Sequence, residues 1–177
     1  RLPNIMPGHL EEIASQLLKG AGASDDEAAT VARLSISANL AGHDSHGIIQ
    51  IPTYIDRVDR GHIVPGAEFE ILKDTPTTTV IDGHWGFGYV VAERAMQMTI
   101  EKAKTQNVAA TTVHRQSHIG RLASYPLMGA QADMIAMITA DSGRSAKGVV
   151  PFGGREKRLG TNPISIAMPS DLDGPFF

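Results

Sequence analysis

The chain of 177 residues contains no cysteine, which removes disulfides, thiolate nucleophiles and cysteine-ligated zinc together and fits a reducing, cytoplasmic compartment. Positive charge is not in excess either. Sixteen Lys and Arg against nineteen Asp and Glu leave a net charge of −3 with seven histidines neutral, so no basic field exists to hold nucleic acid or an anionic membrane. No apolar run approaches the ~20 residues that span a bilayer, and the N-terminus lacks a signal-peptide core. What remains is 42% hydrophobic and 20% charged, the composition of a soluble globular protein long enough for a real hydrophobic core.

Helical spacing comes first along the chain. Leu10, Ile13, Leu17 and Leu18 predict a helix over 8–19 that ends at Gly20. Ser24-Asp-Asp-Glu27 is a capping-box pattern for a second helix running to about Ala41, where Gly42 stops it. A third is expected from near Ser45 to Gly61, with Pro52 either kinking it or marking a late start. Glu68–Lys73 and Thr77–Asp82 alternate around Thr75-Pro76, as in a hairpin. A long helix over 89–105, a buried strand over 108–114, a helix over 121–133 and apolar strands over 134–140 and 164–168 follow; 142–162 has no regular pattern. The class is α/β, or mixed α+β. A division is expected between residues 1–74, helical with the start of the sheet, and 75–177. Asp171–Phe177 reads as a turn and the first residues of an apolar strand, which suggests a longer protein.

The densest chemistry lies in Asn39–Tyr54, where His43-Asp44-Ser45-His46 falls between two helical patterns. A polar knot there is a poor core element and a good presenter of side chains to a ligand. The histidines lack the four-residue spacing of a helical metal site and no third ligand stands out, so no metal is expected. Asp44 and Ser45 acting merely as helix caps is the alternative to a substrate-facing wall. Ser117-His118-Ile119-Gly120 follows a strand and precedes a helix, a position from which a histidine can act as general acid/base. A satisfied structural histidine is the competing account. Gly83-x-x-Gly86-x-Gly88 partly imitates a dinucleotide fingerprint, yet Val91 stands where its third glycine belongs. A plain strand-to-helix turn, its glycines supplying positive φ, explains it better. Pro151–Arg155 and Leu159–Pro163 look like tight loops, with Arg144, Lys147, Arg155, Lys157 and Arg158 giving a positive bias that suits phosphates or is simply solvated.

Four motifs together carry a resemblance. Asp44-Ser-His-Gly47, Ser117-His-Ile-Gly120, Pro151-Phe-Gly-Gly154 and Gly160-Thr-Asn-Pro163 resemble, in order and spacing, the type 2 malate/L-lactate dehydrogenases. Leu40–Ile48 and His118–Arg121 look most like the hydroxycarboxylate dehydrogenase branch. The resemblance implies an oxidoreductase using NAD or NADP without a Rossmann domain. It implies a largely antiparallel nucleotide-binding sheet, homodimers, and a 2-oxoacid or 2-hydroxyacid substrate. By the same resemblance His118 is the acid/base; Ser45, His46 and Tyr54 face the substrate; and Ser142, Gly153, Thr161 and Asn162 lie with the cofactor.

This sequence departs from that pattern in two places. Many members carry an arginine as carboxylate clamp where Gln50 stands, and a neutral amide cannot form the charge-assisted fork. Arg121, where typical members have a small residue, is the candidate replacement. Relatives also continue beyond Gly174-Pro175-Phe176 into a strand with further nucleotide contacts. The 177 residues are therefore expected to hold the histidine and only part of the cofactor site. A non-catalytic ligand-binding or assembly module is the alternative from another class.

Overall fold

The structure is a computed structural model that describes residues 5–141 and 147–177. It divides into two compact units, Arg1–Arg121 and Leu122–Phe177.

In the first unit, helices α1 (Pro7–Gly20) and α2 (Asp25–Leu40) pack together. The predicted capping box starts α2: the Glu27 amide donates to the Ser24 hydroxyl at 3.3 Å, and the Ser24 amide donates to the Glu27 carboxylate at 2.9 Å. Such a cap is worth about 1 kcal/mol. Glu27 also accepts from the Gly66 amide at 2.8 Å, tying the start of α2 to the chain that leads into the sheet.

The expected third helix starts late. Two short 3-10 turns, Asp44–His46 and Ile48–Gln50, precede α3 (Ile51–Asp59), and Pro52 sits in its first turn, where a missing N–H costs nothing. Asp44 and Ser45 are not its caps, since neither 3-10 turn nor α3 has a side-chain cap bond. Leu18, Val31 and Ile51 from the three helices meet Tyr54, Phe87 and Tyr89 in one buried cluster. Each such side chain contributes roughly 1.5–3 kcal/mol by leaving water.

Strands β1 (Glu70–Asp74) and β2 (Thr78–Asp82) pair antiparallel, as the hairpin pattern predicts. After α4 (Gly88–Gln106), strand β3 (Ala110–His114) pairs parallel with β2, giving the order β1-β2-β3. Expected as a buried strand, β3 instead alternates, with Ala110, Thr112 and His114 exposed. It is an edge strand with α4 packed against it, and Thr111 shares a 2.6 Å hydrogen bond with Thr99 of that helix. Two ion pairs fix α4: Arg33 of α2 donates to Glu93 at 2.7 Å, and Lys102 to Asp74 of β1 at 2.6 Å.

The second unit holds α5 (Ser124–Gln131) packed on an antiparallel pair, β4 (Ala136–Thr139) and β5 (Ile164–Ala167). The stretch without a regular pattern carries an antiparallel bridge between Val149 and Leu159. The mixed α/β class stands, with one sheet part parallel and the other wholly antiparallel.

Candidate active site

Four segments of the first unit converge on His118. The loop after β3 carries it, α3 supplies Tyr54, the first turn of α4 supplies Tyr89, and the 3-10 turn Asp44–His46 supplies His46.

Backbone bonds place the loop. Gly83 donates to His114 at 3.0 Å, Trp85 to Arg115 at 2.6 Å and Ser117 to Gly86 at 3.3 Å, so residues 83–86 and 115–117 close like a zip. The Ser117 hydroxyl adds a 2.6 Å bond to the Gly86 carbonyl. Asp82 accepts the Arg115 guanidinium on both oxygens and the His84 amide at 2.9 Å. Its hydrogen bonds from Arg115 hold that carboxyl well below the usual range.

Here the glycine expectation needs correction. His84 (φ 42°) and Trp85 (φ 63°) take the left-handed backbone in this turn, whereas Gly83, Gly86 and Gly88 do not. The glycines serve close approach instead. A Cβ on Gly88 would overlap the carbonyls of Ser117 and His118. The space a dinucleotide would need at this run is filled by the chain's own Ser117–His118 loop, so the turn does not fit a cofactor cradle. Gly120 is different: at φ +67° it needs the left-handed region, and a Cβ there would overlap the Tyr89 ring.

Tyr54 and Tyr89 are buried, at 1% and 2% exposure, and their hydroxyls lie 3.2 Å apart. The Tyr54 hydroxyl also lies 2.8 Å from His118 Nδ1, and the Tyr89 hydroxyl donates to the His46 carbonyl at 3.1 Å. The His46 and His118 rings are 5.4 Å apart, tilted by 30°. Burial, then the neighbouring His46, then the charge of Arg57 push His118 down to about 4. Burial first and His43 second lower His46 as well. His118 is therefore a neutral imidazole at neutral pH, able to accept a proton.

The polar knot is braced internally. Asn39 donates to Asp44 at 2.5 Å and accepts from the Ile48 amide at 2.8 Å. Ser45 shares a 2.9 Å bond with His46 Nδ1, and the Gln50 side chain donates to the Ser45 carbonyl at 2.8 Å. Gln50 is thus occupied in holding the knot. Arg121 is half-buried three residues beyond His118 and ends the first unit.

Of the expected cofactor residues, Gly153, Thr161 and Asn162 are exposed in the second unit, Gly153 at φ 75° with open space where a Cβ would stand. Ser142 and Arg144 lie outside the described residues. Among the described residues one set of donors is close enough for a metal, Glu70, Asp82 and His84 within 4.8 Å, and there Arg115 already engages Asp82. Three contributors escaped the sequence reading: Tyr89, Arg57 and Asn39. Only Asn39 left a signal, standing at the head of the knot.

A family model described as malate/L-lactate dehydrogenase matches residues 5–177. The chain belongs to the malate/L-lactate dehydrogenase family. Within that family it is 36% identical to an L-sulfolactate dehydrogenase of Methanocaldococcus jannaschii, over 92% of this chain and 46% of that protein. It is 37% identical to hydroxycarboxylate dehydrogenase B of Escherichia coli O157:H7, over 94% of this chain and 46% of the relative. The solved malate dehydrogenase of Pyrococcus horikoshii superposes with a TM-score of 0.93 at 31% identity, covering 98% of this chain and 49% of that one. The chain spans about half the length of the curated relatives it matches.

Proposed function

We propose that the protein is an NAD- or NADP-dependent oxidoreductase interconverting a 2-hydroxyacid and a 2-oxoacid, with His118 as acid/base. The carrying observation is a half-buried, neutral His118 gripped at Nδ1 by Tyr54, which leaves Nε2 for a substrate oxygen. In oxidation His118 takes the hydroxyl proton, so that no free alkoxide forms; in reduction it returns that proton to the carbonyl oxygen. When bound, the nicotinamide supplies the hydride acceptor or donor.

Ser45 and His46 form the substrate-facing wall beside His118. Arg57, whose charge is felt at His118, and Arg121 supply positive charge for the substrate carboxylate. Gly153, Thr161 and Asn162 offer an open glycine turn, a hydroxyl and an amide with the chemistry to hold a nucleotide. The oxoacid class is supported by the names of the relatives, which are sulfolactate, hydroxycarboxylate and malate dehydrogenases. A cytoplasmic homodimer is part of the same proposal.

The test is turnover by the complete protein against a panel of 2-oxoacids with NADH and NADPH, followed by His118→Ala. Retained cofactor binding with turnover lost is the expected result. A near-normal kcat in the variant would refute the assignment, and cofactor binding without any turnover would mark a ligand-binding module.

A further inference from the structure

Tyr89 has no place in the proton transfer itself, yet it sits at the far end of an unbroken series of hydrogen bonds that begins on His118. The series runs His118 Nδ1, Tyr54 hydroxyl, Tyr89 hydroxyl, His46 carbonyl, with separations of 2.8, 3.2 and 3.1 Å. Its last member decides its direction. A backbone carbonyl only accepts, so Tyr89 must spend its single proton on His46. The Tyr89 oxygen then accepts from Tyr54. Having given its proton to Tyr89, Tyr54 accepts from His118, which must carry its proton on Nδ1. The buried Ser35 hydroxyl has no partner in hydrogen-bonding geometry, and as one more donor to Tyr89 it would leave the direction unchanged.

We infer that Tyr89 is a positioning residue: through Tyr54 it locks His118 in the tautomer protonated at Nδ1, with the Nε2 lone pair presented to the substrate hydroxyl. Given His118 as acid/base, on which this inference rests, the consequence is preorganisation. Nδ1 keeps its proton whether Nε2 is empty or loaded, so the chain of donors stays unchanged between the base and acid forms. The same carbonyl belongs to His46, whose ring lies beside His118, so one bond sets both the tautomer and the wall. Gly120 makes the arrangement sterically possible, because any side chain there would displace the Tyr89 ring.

The experiment is nitrogen-15 NMR of the histidine side chains at pH 7.5 in the full chain, with His118 assigned by the signals missing from His118→Gln. The expected wild-type pattern is a protonated Nδ1 and an unprotonated Nε2. In Tyr89→Phe the ring stays, Tyr54 loses its acceptor and turns its proton toward Nδ1, and the pattern moves to the opposite tautomer or to exchange between the two. In the complete protein the same variant lowers kcat for oxidation at least about tenfold with KM little changed, a part of the roughly 100-fold or more that general-base catalysis supplies. Tyr54→Phe, which deletes the direct acceptor, provides a second variant and gives the same loss of preference.

An Nε2-protonated His118 in the wild type overturns the inference, and so does an unchanged pattern in both folded variants. Failure of the functional assignment looks different: the tautomer is as expected, but His118→Gln keeps its turnover.

Discussion

The Tyr54 hydroxyl and the His118 ring meet at 2.8 Å although 64 residues separate them in the chain. Tyr54 is held by the helical core and His118 by the loop beyond β3, so the bond joins the buried cluster of the first unit to that loop. Removing both partners should cost less than the sum of removing each. Tyr54→Phe and His118→Gln, alone and together, form a double-mutant cycle with an expected coupling of about 1 kcal/mol in urea unfolding. Strict additivity would mean that the contact contributes nothing.

A second prediction concerns pH. His118 titrates near 6.5 when unfolded and near 4 in the folded chain. Between those values the unfolded state binds a proton that the native state refuses, so stability is full above pH 6.5 and is lost as pH falls toward 4. The loss from this group is at most about 3–4 kcal/mol, at roughly 1.4 kcal/mol per pH unit. The groups facing His118 are His46, Tyr54 and the charge of Arg57, with His43 behind His46; the lowered His46 acts in the same direction. Urea midpoints measured from pH 4 to 8 should fall more steeply in acid for the wild type than for His118→Gln. Parallel curves would contradict the cause assigned here.

Gly120 should tolerate no side chain. Gly120→Ala combines a left-handed backbone at φ +67° with overlap on the buried Tyr89 ring. A loss of more than about 2 kcal/mol is expected. Gly42, at φ +74° with open space around it, provides the control, since Gly42→Ala pays the backbone term alone. Thermal denaturation of the two variants compares the terms, and equal losses would show that the Tyr89 contact is relaxed at no cost.

Asn39 should matter more than its place near the end of α2 suggests. Its side chain joins Asp44 to the Ile48 amide across the knot, and Gly47 packs so closely on it that a Cβ there would overlap it. Asn39→Ala orphans the part-buried Ile48 amide and returns Asp44 to water, and about 1–2 kcal/mol of stability should go with the two bonds. Ser45 and His46 should loosen at the same time. In the complete protein, the expected signature is a KM for the 2-oxoacid raised severalfold, with the kcat effect smaller than that of His118→Ala. An unchanged KM would show that the knot keeps its shape without Asn39.

The sequence by itself determined the elements whose causes are local. The Ser24–Glu27 box starts α2 because both partners lie within one helical turn, and Thr75-Pro76 turns the hairpin for the same kind of reason. The place of His118 after a strand and before a helix was legible as well, because each pattern lies in its own short segment. Three things were decided only in three dimensions. The late start of α3 depends on a knot closed by Asn39, nine residues before Ile48. The need for glycine at 88 depends on carbonyls at 117 and 118. The hydrogen-bond series through Tyr54 and Tyr89 joins side chains far apart in sequence and ends on the His46 carbonyl. Spacing rules describe neighbours within a turn or a strand. A buried phenol finds its partner only when distant segments pack, and there the cost of leaving it unpaired selects the arrangement.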